Sequence, residues 1–262
     1  MDFIMPVYVF FLGTIIGSFL NVVIFRAYTG RGLQGRSSCG SCARVLGAID
    51  LVPLFSYFFL RGRCRTCGSK ISLQYPLVEL ATGILFYLSY AHAHTSYELV
   101  TLLTLSILGV LISTYDIRHT VIPDAWSILF SITAVGWRIP EILSGALSLG
   151  DVLLAGAVMS GTLWAVWFLS DGRWIGFGDV KLIFGVGALL GVFGGFMTLW
   201  LSCIIGSLVG MAILTRQYLK GRSKYITMQT QLAFGPFILA SVGLILFEYI
   251  SLTQLWNLLY IV

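Results

Sequence analysis

Charged residues are scarce in this chain: Asp, Glu, Lys and Arg together make up 10% of its 262 residues, whereas hydrophobic residues make up 58%. A soluble globular domain carries about 25% charged residues, so the composition argues against a soluble protein. The apolar runs are long and unbroken, unlike the polar–apolar alternation of a membrane β-barrel. Because an α-helix satisfies its own backbone hydrogen bonds in lipid, the sequence predicts an all-α, polytopic transmembrane helix bundle.

Histidine is also rare, with three residues, and the sequence contains neither a His-Glu-x-x-His motif nor a Ser–His–Asp arrangement. The motifs of zinc metallopeptidases and serine hydrolases are therefore missing. The net charge of +5 does not indicate a nucleic-acid partner, because the basic residues lie in short loops between apolar segments. Basic residues in such loops are typical of membrane proteins.

Apolar windows of about 20 residues predict eight transmembrane spans. They are residues 6–25, 76–92, 98–116, 122–137, 152–170, 180–193, 195–214 and 233–250. The first run follows no basic segment and precedes no small-residue cleavage site, so it is predicted to be a permanent helix. Gly194-Gly195 separates the sixth span only weakly from the seventh. Seven spans, with a re-entrant or tilted sixth segment, is therefore the alternative.

The Lys and Arg residues are strongly biased to one side of the predicted bundle. With the N-terminus outside, the cytoplasmic loops are residues 26–75, 117–121, 171–179 and 215–232, and Arg138 alone of the 16 Lys and Arg residues lies on the outer side. Such residues concentrate in cytoplasmic loops. The chain is thus predicted to consist of a first transmembrane helix (1–25), a small cytoplasmic domain (26–75) and a transmembrane core (76–262).

Four of the five cysteines lie in the long cytoplasmic loop, as the pairs Cys39-x2-Cys42 and Cys64-x2-Cys67. Two pairs at about this spacing are typical of zinc ribbons, in which four thiolates bind Zn²⁺ tetrahedrally. The loop is too short to build its own core, so a structural zinc ion would stabilise it. Two disulfides and ordinary free thiols are the alternatives, and a reduced cytosolic location disfavours the disulfides.

Asp116 and Asp179 are predicted to lie at the cytoplasmic ends of the third and sixth spans. Two close carboxylates do not both ionise easily, so one can polarise a peptide carbonyl while the other takes a proton from water. This pattern predicts a membrane aspartic peptidase. Gly176 and Gly178 permit close backbone approach beside Asp179, although Gly-x-Gly-Asp alone is also typical of a loop-to-helix junction with an N-cap aspartate.

Further segments accompany these motifs along nearly the whole chain. They are residues 17–26, 36–42, 52–57, 62–68, 71–79, 116–124, 176–181 and 234–237. With them, the sequence resembles the bacterial type IV prepilin leader peptidases, which are membrane aspartic proteases of the Gly-x-Gly-Asp class.

The resemblance implies an enzyme of the bacterial inner membrane that cuts the basic leader from type IV prepilins and type II secretion pseudopilins at the cytoplasmic face. Asp116 and Asp179 match the catalytic positions of the family. Members with a tetracysteine loop also methylate the new N-terminal residue, which implies S-adenosylmethionine as the methyl donor. The implied partners are prepilins or pseudopilins and the lipid bilayer.

Two other carboxylates are candidate site residues. Glu79 lies about one turn inside the second span, where an intramembrane carboxylate is a candidate for substrate binding or for the methylation site; the alternative is an interfacial group paired with a loop arginine. Asp124 follows Pro123 at the start of the fourth span. There it is predicted to act as an N-cap that supports the catalytic loop.

Two other functions suit a glycine-rich membrane bundle. A transporter or channel would explain the few intramembrane charges, but it leaves the cysteine pairs and the matched aspartates unexplained. A non-catalytic platform for pilus or secretion assembly would recruit pilins through the cysteine loop alone.

Overall fold

The computed structural model describes residues 4–27, 32, 35–219 and 233–247, and α-helices dominate this part of the chain. The helices are α1 (Ile4–Arg26), α2 (Phe55–Phe59), α3 (Gln74–His92), α4 (Ser96–His119), α5 (Asp124–Trp137), α6 (Ile139–Leu143), α7 (Leu149–Leu169), α8 (Phe177–Leu219) and α9 (Gly235–Leu246). The described residues otherwise contain one 3₁₀ turn (Ile49–Leu51) and two isolated β-bridges, and no strand. The predicted all-α fold is confirmed.

The chain divides into two compact units, Met1–Leu111 and Ile112–Val262. In the first unit, α1 packs along α3. An added Cβ at Gly17 would lie 2.8 Å from the Glu79 Cα, and one at Gly13 would lie 2.8 Å from the Phe86 Cβ. Glycine lets two helices approach this closely in lipid, where packing rather than water exclusion holds them together.

A buried asparagine joins the same two helices. Asn21 has no exposed surface, and its Nδ2 donates to the backbone oxygens of Gly17 and Tyr75, each at 3.3 Å. Its Oδ1 accepts from the Gln74 side chain at 3.4 Å. These bonds fix the end of α1 against the start of α3, since a buried amide is costly unless its hydrogen bonds are made.

The second unit is built around α8, which packs against α5, α7 and α9. Glycines again allow the contact: an added Cβ at Gly185 would lie 2.7 Å from Phe130 Cδ1, and one at Gly187 would lie 2.6 Å from the Ala155 carbonyl oxygen. The Ser160 hydroxyl donates to the Val180 oxygen at 2.9 Å and links α7 to α8. The start of α8 is therefore held on two sides.

The α8 helix is interrupted at Gly191, whose φ of 75° and ψ of 176° are not helical. The weak boundary was predicted at Gly194-Gly195, and that position is wrong by a few residues. The predicted sixth and seventh spans both lie within α8, and the break falls near the end of the sixth. No described residue lies within 4 Å of the position that a Cβ would take at Gly191, so the glycine is required by the backbone conformation and not by crowding.

Four helices of the described chain, α1, α4, α7 and α8, are long and apolar enough to cross a membrane. The chain is therefore a multi-pass membrane protein in its coarse architecture. The other predicted spans lie in α3, α5 and α9, which do not meet the same criterion of length and composition. Residues 248–250 of the last predicted span lie outside the described residues. Eight spans remain a prediction.

We expect Gly187→Ala to destabilise the protein, because the new methyl group would meet a backbone oxygen that cannot move without shifting α7. Overpacking of this kind costs about 1–3 kcal/mol. The measurement is thermal unfolding of the purified full-length protein in detergent.

Gly161→Ala is the matched control, since nothing lies within 4 Å of its added Cβ and alanine favours a helix over glycine by about 1 kcal/mol. An equal or larger loss of stability in Gly161→Ala would contradict the close-packing explanation.

Candidate active site and metal site

Asp116 lies in the last turn of α4 and is 4% exposed. Its Oδ2 accepts a hydrogen bond from the backbone N–H of Gly235, the first residue of α9, at 3.1 Å. A buried carboxylate needs a donor of this kind. The bond fixes the carboxylate and ties the start of α9 to the end of α4.

Asp179 is the third residue of α8 and is 7% exposed. Its backbone N–H donates to the Gly176 oxygen at 3.1 Å, which forms the first turn of the helix. Asp116 lies close enough for its charge to act on Asp179. The two predicted aspartates, far apart in sequence, are thus brought together within one unit of the chain.

Two glycines allow the backbone to close around the pair. A Cβ added at Gly178 would lie 2.9 Å from the Ile122 Cβ, and one at Gly235 would lie 2.8 Å from the Asp116 Oδ2 and 3.1 Å from the Ile122 Cδ1. The buried Ile122 side chain therefore separates the starts of α8 and α9. Gly235 was not predicted as a site residue, although it lies in the segment 234–237 that contributes to the family resemblance and begins a helix with a Gly-Pro pair.

Gly176 and Gly178 were both predicted to support the catalytic loop. A Cβ added at Gly176 would lie 3.5 Å from the Asp179 Oδ2, an ordinary contact. At Gly178, in contrast, a side chain would collide with Ile122. Close approach therefore requires glycine at position 178 but not at position 176.

Asp124 is the first residue of α5, and Pro123 occupies the N-cap position without a side-chain cap. The predicted N-cap role of Asp124 is therefore wrong. Its carboxylate instead pairs with the Lys181 ammonium at 2.6 Å, and that ammonium lies 4.9 Å from the centre of the Phe177 ring. Asp124 thus links α5 to the first turns of α8. Lys181, which was not predicted as a site residue, is its partner.

The cysteine pairs form two turns with the same hydrogen-bond pattern. In the first turn, the amide of Cys39 donates to the Arg44 oxygen at 2.9 Å. In the second, the amide of Cys64 donates to the Ser69 oxygen at 2.8 Å. Each turn is closed by an isolated β-bridge, Ser38 to Val45 and Arg63 to Lys70. The predicted zinc-ribbon-like loop therefore has two equivalent halves.

The four cysteine sulfur atoms converge on one point. All four Sγ atoms lie within 4.8 Å of one another, and those of Cys39 and Cys67 are 3.8 Å apart. Tetrahedral Zn–S bonds of about 2.3 Å place sulfur atoms about 3.8 Å apart. The cluster can hold a metal ion of this kind, and four thiolates leave no open position on it.

Hydrogen bonds from backbone amides and from the Ser69 hydroxyl prepare two of the thiols for metal binding. Hydrogen bonds from the amides of Cys42 and Ser41 lower the pKa of the Cys39 thiol to about 6, and Ser69 lowers the pKa of Cys67. At Cys42, the hydrogen bond from the Arg44 amide also lowers the pKa, but burial and the neighbouring thiols outweigh it and raise the pKa to about 11. The thiolates thus repel one another, and a bound cation removes that repulsion.

Asp50 joins the two cysteine turns, and the sequence did not single it out. Its side chain is 6% exposed, and its two oxygens lie 3.2 Å from Arg44 Nη2 and 3.3 Å from Arg65 Nε, one arginine from each turn. Its Oδ2 also accepts the Gly47 amide at 3.2 Å. The only sequence signal for this role was that a single acidic residue occurs in a loop with several arginines.

Glu79 is buried on α3, with 7% of its surface exposed. Its Oε2 accepts the backbone N–H of Leu54 at 2.8 Å. Among the described residues, no Lys, Arg or His side chain forms an ion pair with it. The alternative of a pair with a loop arginine is therefore not found in this part of the chain.

Two family models match the chain. The bacterial peptidase A24 N-terminal domain matches residues 11–93, and the type IV leader peptidase family matches residues 102–211. No solved structure is significantly similar to the chain.

Three curated proteins illustrate the similarity, and each is named a prepilin leader peptidase/N-methyltransferase. The Myxococcus xanthus protein is 34% identical over 79% of this chain; the chain spans 63% of that protein, less than two thirds of its length. The Pseudomonas putida protein is 30% identical, over 87% of this chain and 85% of its own length. The Dickeya chrysanthemi protein is 33% identical over 90% of both chains.

We expect Asp50→Asn to weaken the affinity of the cysteine cluster for a metal ion about 10- to 100-fold, the usual effect of removing a group that orients metal ligands. The loss follows because neither cysteine turn would keep its arginine paired. Competition between the full-length protein and a chelator, with Zn²⁺ as the probe ion, measures the affinity.

Asp151→Asn is the control, because Asp151 caps α7 and lies in the other unit of the chain. Unchanged affinity in Asp50→Asn would show that other contacts, such as the 2.6 Å hydrogen bond from Arg44 to the Thr66 hydroxyl, are enough to hold the two turns together.

Proposed function

Because the chain belongs to the type IV leader peptidase family, we propose that it cleaves the leader peptide from prepilins or pseudopilins, with Asp116 and Asp179 as the catalytic residues. The observation that carries the proposal is that two buried carboxylates, at the end of α4 and the start of α8, lie close enough for one charge to act on the other. The names of the curated relatives give the substrate class.

The chemistry follows from the proximity of the two carboxylates. Such a pair shares one proton and titrates as a unit. The protonated member donates a hydrogen bond to the scissile carbonyl, and the ionised member takes a proton from the attacking water. The Gly235 amide fixes the orientation of Asp116. Asp124, through Lys181, acts as a positioning residue for the first turns of α8.

The names of the relatives also support a second activity, N-methylation of the new N-terminal residue. The methyl donor would be S-adenosylmethionine, as the family resemblance implies. Zinc bound by Cys39, Cys42, Cys64 and Cys67 would be structural. It would crosslink the two cysteine turns, and the thiolate cluster fits it.

We further propose that the protein lies in the bacterial inner membrane, with the aspartates and the cysteine loop facing the cytoplasm. The bias of Lys and Arg residues supports this orientation. Eight spans are proposed, with α8 crossing twice. It has 43 residues, about 65 Å at 1.5 Å per residue, against about 30 Å of hydrocarbon. The division into residues 1–25, 26–75 and 76–262 remains part of the proposal.

We expect Asp116→Asn and Asp179→Asn each to reduce cleavage at least about 100-fold, since general acid–base groups contribute about 10²–10⁴ in rate. Each amide keeps the shape of the side chain but cannot exchange the proton. The measurement is conversion of a full-length prepilin by the purified enzyme, followed by mass spectrometry.

Asp171→Asn is the matched control, because Asp171 has a side chain 86% exposed and pairs only loosely with Arg173 at 3.7 Å. Retained cleavage by both site variants would support a transporter or a non-catalytic assembly platform instead.

We expect the purified full-length protein to contain about one zinc ion per chain, as a four-cysteine site binds, and Cys42→Ser to lower this content strongly. Elemental analysis of the detergent-purified protein measures it. Cys203→Ser is the control, because Cys203 lies on α8 outside the cluster. Zinc-free native protein would refute the metal assignment without affecting the aspartate pair.

A further inference from the structure

The first unit contains a cavity of about 530 Å³, within the usual range of small-ligand sites. Its wall is formed by one side of α1, the start of α3 and the cysteine loop. Ser18 and Phe25 come from α1, Tyr75 and Glu79 from α3, and Arg36 and Arg65 from the loop. The two catalytic aspartates belong to the other unit.

Glu79 is the acidic group of this wall that pairs with no cation among the described residues. Asp50, the other carboxylate of the lining, is held between Arg44 and Arg65. Glu79 receives one backbone N–H, from Leu54, and a hydrogen bond from Ser18. A buried carboxylate without an ionic partner is costly. A cationic ligand in the cavity would relieve that cost.

Two candidate ligands have the required charge chemistry. Phosphate groups of lipids suit the arginines, but the carboxylates of Asp50 and Glu79 on the same wall would repel them. A primary ammonium suits Glu79 directly, since a carboxylate accepts short, charge-assisted hydrogen bonds from it. Cleavage of a leader peptide creates such a group, the free α-ammonium of the shortened pilin.

On the basis of the proposed function, we infer that Glu79 binds the α-ammonium of the cleaved pilin in this cavity and accepts its proton during methyl transfer. The methyl group would come from the adenosyl sulfonium of the proposed methylation activity. The cavity is then the methylation site, formed by the first unit alone.

The transfer balances with these groups. The α-ammonium gives one proton to the Glu79 carboxylate and becomes a neutral amine. The nitrogen lone pair attacks the methyl carbon of the sulfonium as the carbon–sulfur bond breaks. The sulfur keeps that electron pair and becomes a neutral thioether, and the product is a secondary ammonium. Water then takes up the proton that Glu79 holds.

Glu79 also accepts the amide of Leu54, whose φ of 62° is strained for a leucine. The test must therefore distinguish binding of an ammonium by the Glu79 charge from a structural role in holding the Leu54 turn. Glu79→Gln keeps the shape and an oxygen for the Leu54 amide, but it loses the charge. Glu79→Asp keeps the charge, but its shorter side chain loses the reach to Leu54. If Glu79 binds the ammonium, the larger methylation defect is expected in Glu79→Gln. If Glu79 only holds the Leu54 turn, the larger defect is expected in Glu79→Asp.

The experiment uses the full-length protein in detergent with a full-length prepilin and S-adenosylmethionine, and mass spectrometry counts cleaved and methylated products separately. We expect Glu79→Gln to cleave at the wild-type rate and to lower kcat/KM for methylation about 10- to 100-fold, the effect of losing one charged hydrogen bond. Glu98→Gln is the matched control, because Glu98 also accepts a backbone amide, from His94 at 2.8 Å, and lies outside the cavity lining.

A peptide-binding experiment tests the inference independently of turnover. A synthetic peptide of the mature pilin N-terminus is compared with its N-acetylated form, which has no ammonium. Wild type and Glu98→Gln should prefer the free amine, and Glu79→Gln should lose that preference.

Equal binding of both peptides by the wild type, unchanged methylation in Glu79→Gln, or a larger methylation defect in Glu79→Asp would each overturn the inference and leave the peptidase assignment standing. A wild-type protein that neither cleaves nor methylates would instead refute the proposed function, and the peptide-binding experiment would still test Glu79.

Discussion

The close approach of backbones along α8 is the constraint on which the paired aspartates depend. Lipid does not drive helices together by excluding water, so small residues must let their surfaces fit closely. Gly185 and Gly187 bring α5 and α7 onto α8, and Gly178 lets its first turn meet Ile122. Asp179 lies in the first turn of α8 and is buried, with 7% of its surface exposed. A larger side chain at Gly178 would push the first turn of α8, which carries Asp179, away from Ile122, and larger ones at Gly185 or Gly187 would push α5 or α7 away from α8.

The carboxylates of the described residues differ in whether they have a cationic partner. Asp50, Asp124, Glu141 and Asp171 have cationic partners, while Glu98 and Asp151 accept backbone amides near exposed helix starts. The buried ones without a cation are Glu79, Asp116 and Asp179. These three are the residues to which proton chemistry is assigned. In a protein with so few charges, the buried carboxylates without a cationic partner thus lie where a ligand or a shared proton can balance their charge.

The sequence predicted the aspartates and the cysteines because their chemistry is local and charge is rare in this chain. It did not predict Gly235, because nothing near position 235 shows that a carboxylate far earlier in the chain will need its amide. Asp50 and Lys181 were missed for the same reason, since their partners are set by the tertiary fold. The break in α8 was misplaced because several glycines follow one another, and hydropathy does not distinguish which of them leaves the helical conformation.

The left-handed φ at Gly191 has a mechanical consequence for α8. Membranes differ in thickness, and a helix that crosses them adapts by changing its tilt. In an unbroken rod, a change of tilt at the far end would also turn the first residues of the helix. Here the two arms join at a residue whose dihedrals are not helical, so the direction of the later arm does not follow from that of the earlier arm. Met159 of α7 packs against glycines on both arms, Gly187 and Gly195, and so spans the break. Asp179 lies on the earlier arm, and the tilt of the later arm alone does not set its position.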